Sequence, residues 1–117
     1  MRSLLAVATA LFLLLSVDVA KAADPTRLAE TGAYLLGNAY RCGVPAERIT
    51  RAGKVIRHLI EAVAYSSKDA AAADSRFVEI FQASAVPSED QEGFPSCQVV
   101  IAQFERLEQH HQQAGFN

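Results

Sequence analysis

Apolar residues recur at intervals of three and four along most of this 117-residue chain, and this spacing constrains the fold more than any other feature. Such intervals place side chains on one face of an α-helix. No stretch shows the sustained alternation of apolar and polar residues that is typical of a β-strand. The pattern therefore predicts an all-α fold, a compact bundle of about four helices.

Capping residues and glycines set the predicted helix boundaries. Asp24 and Pro25 form an N-cap and a first-turn proline, and Gly43 is a typical C′ glycine. Pro45 begins the second helix in the same way as Pro25, and Ser96 is a typical N-cap for the last. The predicted helices span residues 25–42, 45–65, 69–86 and 96–110.

Gly37 interrupts the apolar stripe of the first predicted helix. A glycine inside a helix costs about 1 kcal/mol relative to alanine. We therefore interpret Gly37 as a point of close contact with another helix, where the missing Cβ gives room for the neighbour.

The boundary between the second and third helices has two alternatives. The apolar stripe stays in phase, and neither glycine nor proline occurs, across residues 54–86. One continuous helix over 45–86 fits this pattern. A break near 66–69, with Ser67 or Asp69 as the N-cap, is favoured, because a helix of about 40 residues would protrude far from so small a domain.

The first 22 residues have the features of a secretory signal peptide. Arg2 precedes an apolar run over residues 4–15, and Ala20 and Ala22 supply the small residues that signal peptidase accepts. The run is shorter than the roughly 20 residues that span a bilayer. We therefore predict that residues 1–22 are cleaved and that the protein is periplasmic or secreted.

The mature chain, residues 23–117, has the length of a single small helical domain. Its polar end, residues 111–117, is predicted to form a frayed tail. The mature net charge is −3, whereas a nucleic-acid-binding protein is normally basic, so we expect no nucleic-acid partner. No second apolar run approaches the length of a bilayer span, so we expect no transmembrane segment in the mature chain.

The mature chain contains two cysteines, Cys42 and Cys97. An even number of cysteines in an exported protein favours a disulfide. Neither cysteine belongs to a C-x-x-C motif or has a histidine at metal-ligand spacing, which argues against redox chemistry or a metal site. Both lie on apolar stripes at helix ends, and a bridge between them would stabilise the fold by about 4 kcal/mol.

The chain shows no arrangement of residues that is typical of an active site. His58 and Glu61 are only two potential ligands, and His110 and His111 are adjacent and do not share a helix face. The serines lack a G-x-S-x-G motif, and neither a glycine-rich phosphate loop nor HExxH occurs. We therefore expect no catalytic residue, no metal and no cofactor, and predict that the protein is not an enzyme.

Charge is divided unevenly along the mature chain. Residues 23–58 carry a net charge of +3, and residues 59–117 carry −6. One interpretation is intramolecular attraction between the second helix and the acidic loop and third helix. The other is a basic face that binds an anionic partner, such as lipid head groups or an acidic protein surface. The candidate basic face consists of Arg48, Arg51, Lys54 and Arg57.

Three functions fit these features. The first is a non-catalytic binding or interaction module of the cell envelope, with a protein or another envelope component as its partner. In size, export signal, helical pattern and one long-range disulfide, the chain resembles the acid-stress periplasmic chaperones of the HdeA family. This resemblance implies a holdase as the alternative; it carries over no site residue, because no motif of that family matches residue by residue. The third is an immunity-type inhibitor of a secreted toxin.

Overall fold

The structure, a computed structural model, describes residues 24–86 and 94–113. These residues form four α-helices and no β-strand, which confirms the predicted all-α bundle. The predicted signal peptide and the last four residues of the predicted tail lie outside the described residues. The helices are α1 (Pro25–Arg41), α2 (Ala46–Val63), α3 (Ser67–Ala85) and α4 (Cys97–Gln113).

The two ends of α1 follow the predicted local signals. The carboxylate of Asp24 accepts hydrogen bonds from the backbone N–H groups of Thr26, at 2.9 Å, and Arg27, at 3.2 Å. Two of the N–H groups that a helix start leaves unpaired are thereby satisfied. At the other end Gly43 has a φ of 98°, a left-handed conformation that favours glycine. The predicted cap and the predicted stop are both confirmed.

The helices α2 and α3 are separate, because residues 64–66 are not helical. The break is confirmed, but α3 begins at Ser67, two residues before the predicted start. The N-cap is Ser66, and the prediction of Ser67 or Asp69 was wrong. Ser66 has an extended backbone (φ −155°, ψ 166°), and its hydroxyl accepts a hydrogen bond from the N–H of Asp69 at 3.1 Å.

Two other helix starts refine the predicted bounds. Pro45 precedes α2 as its N-cap residue, since its ψ of 143° is not helical. The hydroxyl of Ser96 accepts a hydrogen bond from the N–H of Val99 at 3.4 Å, which confirms Ser96 as the cap of α4. α4 then continues to Gln113, three residues beyond its predicted end.

The central helix of the bundle is α1, which packs against α2, α3 and α4. Its contact with α3 is the most extensive, whereas α2 and α3 meet at few residues. Four apolar side chains fill the middle of the bundle and are almost fully buried: Leu36 of α1, Ile60 of α2, and Val100 and Phe104 of α4. Since α2 and α3 are both positioned by α1, the space between them is left partly open.

The predicted disulfide is present. Cys42, directly after α1, is bonded to Cys97, the first residue of α4, with 5.4 Å between their Cα atoms. Beside the bridge, the Arg41 guanidinium donates a hydrogen bond to the carbonyl of Pro95 at 3.3 Å and lies 4.5 Å from the ring centroid of Phe94. The bridge and these contacts together hold the start of α4 against the end of α1.

Candidate functional site

An apolar groove opens between α2 and α3, and we call it the α2–α3 groove. Its volume is about 270 Å³. The α1 helix supplies its floor through a single buried leucine. The apolar lining residues are Leu36, Ile49, Gly53, Ile60, Phe77 and Phe81.

The α2 side of the groove is open at Gly53. A Cβ atom at this position would meet only Cδ1 of Leu36, at 3.8 Å, which is an ordinary van der Waals distance. The packing therefore does not require a glycine, although glycine costs a helix about 1 kcal/mol relative to alanine. The effect of Gly53 is to widen the groove.

The α3 side of the groove is formed by Phe77 and Phe81, one helical turn apart. Their ring centroids are 6.3 Å apart and their planes are inclined by 6°. Both residues are only half-buried. Tyr40 of α1 continues the aromatic surface, with its ring centroid 6.3 Å from that of Phe81. These rings present flat apolar surface that the fold covers only in part.

Two cationic residues, Lys54 and Arg57, stand at the rim of the groove, and both are exposed. Nε of Arg57 lies 3.9 Å from a carboxylate oxygen of Asp74 on α3. The side chains of this pair are 61 % and 36 % exposed, so solvent screens much of the attraction. Lys54 forms no ion pair within residues 24–86 and 94–113. Among the described residues, the rim therefore has one cation, Lys54, without a paired carboxylate.

The four residues of the candidate basic face lie around about half of the circumference of α2. Positions nine residues apart differ by about 180° around a helix, so Arg48 and Arg57 point in opposite directions. Arg48 is paired with Glu108 of α4, and Arg57 with Asp74 of α3. Two of the four thus take part in pairs within the fold. The pair of Arg57 with the third helix is of the kind that the intramolecular interpretation expects, whereas Arg48 pairs with the fourth helix, which that interpretation did not include. Most of the acidic loop lies outside the described residues. The binding of a partner by this set stays a prediction.

Arg48 is held from two sides by α4. Its guanidinium donates two hydrogen bonds to the Glu108 carboxylate, with 3.0 Å between Nε and Oε2. The guanidinium carbon also lies 5.3 Å from the ring centroid of Phe104. The hydrogen bond to Glu108, with the nearby charge of Glu105, raises the pKa of Arg48 above its usual value. Arg48 thus anchors α4, and its charge is already paired within the fold.

The remaining residues that the sequence singled out lie apart from the groove. Nδ1 of His58 is 4.0 Å from a carboxylate oxygen of Glu61, and both side chains are exposed. His110 is exposed on α4. Among the described residues, no three His, Cys, Asp or Glu side chains come together as a metal site requires. No helix in the described ranges is long and apolar enough to cross a bilayer.

Sequence reasoning missed the groove itself. The two phenylalanines belong to a stripe of apolar residues at helical spacing, which indicates core rather than a site. The available signal was Gly53, a glycine inside the clearest amphipathic helix and directly before Lys54. Comparisons of the chain with protein-family models, with curated proteins and with solved structures found no match.

Proposed function

We propose that this is an exported, non-catalytic binding protein whose α2–α3 groove accepts the apolar part of a ligand or partner. The observation that supports the proposal is an apolar groove of about 270 Å³ that includes two half-buried, stacked phenylalanine rings. A concave apolar surface of this kind is typical of ligand or partner sites. A helix that keeps a glycine at the groove, at a cost in stability, adds to that support.

The polar lining residues complete the arrangement of a binding site. Such sites combine a mostly apolar lining with a few polar groups that orient the ligand. Here those groups are Thr50, Lys54, Arg57 and Asp74. In this proposal they orient a bound molecule and do not react with it.

Export is proposed on two grounds. The Cys42–Cys97 disulfide is of a kind that persists in oxidising compartments, such as the periplasm and the extracellular medium. Residues 1–22 have the composition of a signal peptide. We therefore place the binding function in the cell envelope or outside the cell.

A neutral fluorescent probe, N-phenyl-1-naphthylamine, tests the groove without involving its charges. The naphthalene ring of the probe alone has about the size of the groove. The exported protein should bind the probe with a rise in fluorescence. Gly53→Leu should weaken binding at least about tenfold, because the new side chain fills space that the probe occupies. The matched control is Ala62→Leu, which adds an exposed leucine on the opposite side of α2.

Circular dichroism should show unchanged helix content in both variants. Equal probe affinity in Gly53→Leu and Ala62→Leu would place the probe outside the groove and overturn the proposal. The same conclusion would follow if the unmodified protein did not bind the probe.

A further inference from the structure

We infer that the ligand of the α2–α3 groove is a single-chain amphipathic carboxylate, with a medium-length alkyl chain on the phenylalanine rings and its carboxylate at Lys54. This inference rests on the proposed function, and it adds the chemical class of the ligand. Three features of the groove lead to it: its volume, the net charge of its lining, and the position of that charge relative to the rings.

The volume of the groove fits one alkyl chain. An apolar cavity of about 150 Å³ accommodates benzene, which has six carbon atoms. By the same proportion, the groove volume of about 270 Å³ corresponds to about ten carbon atoms. One medium-length alkyl chain is sufficient to fill this space.

The charge of the lining fits a monoanion. The groove is lined by two cations, Lys54 and Arg57, and by one carboxylate, Asp74. Arg57 is already paired with Asp74 across the groove, at 3.9 Å. Within residues 24–86 and 94–113 Lys54 has no paired carboxylate, and a single negative charge on a ligand would neutralise it.

The position of the charge gives the ligand two distinct ends. Lys54 and Arg57 are three residues apart and are therefore neighbours on the surface of α2. Phe77 and Phe81 form most of the opposite side of the groove on α3, where the one charged lining residue, Asp74, is paired with Arg57. A molecule that fills the groove consequently meets the phenylalanine rings along one side and positive charge at the rim. An alkyl carboxylate matches both, because its chain can pack on the rings and its carboxylate can pair with the cation.

Three ligands with ten-carbon chains separate the contribution of charge from that of the chain: decanoate, 1-decanol and decyltrimethylammonium. The affinity of each ligand is measured by displacement of the neutral probe from the exported protein. Each ligand is used below the concentration at which that ligand aggregates, and at neutral pH, where the carboxylate of decanoate is ionised. We expect decanoate to bind about 1.5-fold to fivefold more tightly than 1-decanol, the range expected for exposed charge pairs. The cationic ligand should bind most weakly, and added salt should reduce the advantage of decanoate.

Lys54→Gln should remove most of the advantage of decanoate over 1-decanol, measured as the ratio of the two affinities in the same variant. The matched control is Arg51→Gln, which removes an exposed cation of α2 outside the groove lining. An equal affinity for decanoate and 1-decanol would overturn the inference and leave the proposed function standing. An advantage of decanoate that survives in Lys54→Gln would do the same. A protein that bound none of the three ligands and no probe would overturn both.

Discussion

Gly37 of α1 lies so close to Ser84 of α3 that a Cβ atom on the glycine would stand 2.5 Å from Cβ of the serine. The Cβ atom added to Gly37 would also stand 2.9 Å from the backbone carbonyl oxygen of Phe81. Ala29 and Ala33 precede Gly37 at intervals of four and share its face of α1, and both are fully buried. Small residues thus bring α1 and α3 into backbone contact. This packing holds α3 against α1, while α2 and α3 meet at few residues and the groove lies between them.

The first prediction is that Gly37→Ala destabilises the protein. Alanine favours the helix by about 1 kcal/mol, but the added methyl group would overlap backbone atoms of α3 that cannot move aside. Overpacking of this kind typically costs about 1–3 kcal/mol. Urea denaturation followed by circular dichroism should show a lower midpoint. A midpoint equal to or above that of the unmodified protein would contradict the close contact.

The second prediction is that Gly53→Ala has the opposite effect. Its Cβ would meet only Leu36, at 3.8 Å, so the alanine fits without a shift of its neighbours. The free energy of unfolding should rise by about 0.5–1 kcal/mol, which is the usual gain for this substitution inside a helix. The same urea experiment measures it. A loss of stability would show that the space beside Gly53 is occupied in solution.

These two glycines show what the sequence can and cannot predict. Both lie within helices that the sequence predicts. Apolar stripes, and caps such as Asp24 and Ser96, predict helix positions well, because helix formation depends on residues that are near one another in the chain. The predicted close contact at Gly37 is confirmed. The different role of Gly53 depends on which helix packs beside it, and that is decided by residues far away in the sequence. Local patterns contain no information on this point.

The candidate site was predictable only in part, for the same reason. Lys54 and Arg57 were predicted as members of a basic face, but the groove beside them exists because α1 positions both α2 and α3. Phe77 and Phe81 have the spacing of core residues, and spacing alone does not distinguish a covered ring from a half-buried one. The pairing of Arg48 with Glu108 joins residues 60 positions apart, which no local pattern indicates.

The third prediction concerns that pair. The two hydrogen bonds between Arg48 and Glu108 should give a favourable coupling in a double-mutant cycle built from Arg48→Met and Glu108→Gln. Methionine keeps an unbranched stem near Phe104, so the cycle reports mainly on the charged contact. Urea denaturation of the four proteins measures the coupling.

A parallel cycle on Arg57 and Asp74 provides the comparison. That pair is more exposed than the pair of Arg48 and Glu108, and its closest distance is 3.9 Å, so its coupling should be smaller and more sensitive to salt. A coupling for Arg57 and Asp74 that equals or exceeds that of Arg48 and Glu108 would show that Arg48 does not anchor α4.

The fourth prediction is that the Cys42–Cys97 bridge supplies a large share of the stability. The bridge closes a loop of 55 residues that contains α2 and α3, and its loss through Cys42→Ser should cost about 2–5 kcal/mol. A domain of this size typically has only about 5–15 kcal/mol in total. Cys97→Ser should have the same effect, because either change removes the whole bridge. Reductant should lower the melting temperature of the unmodified protein to that of the variants and leave the variants unchanged. Equal melting temperatures for the oxidised, reduced and variant proteins would show that the contacts of Arg41 with Phe94 and Pro95 hold α4 in place without the bridge.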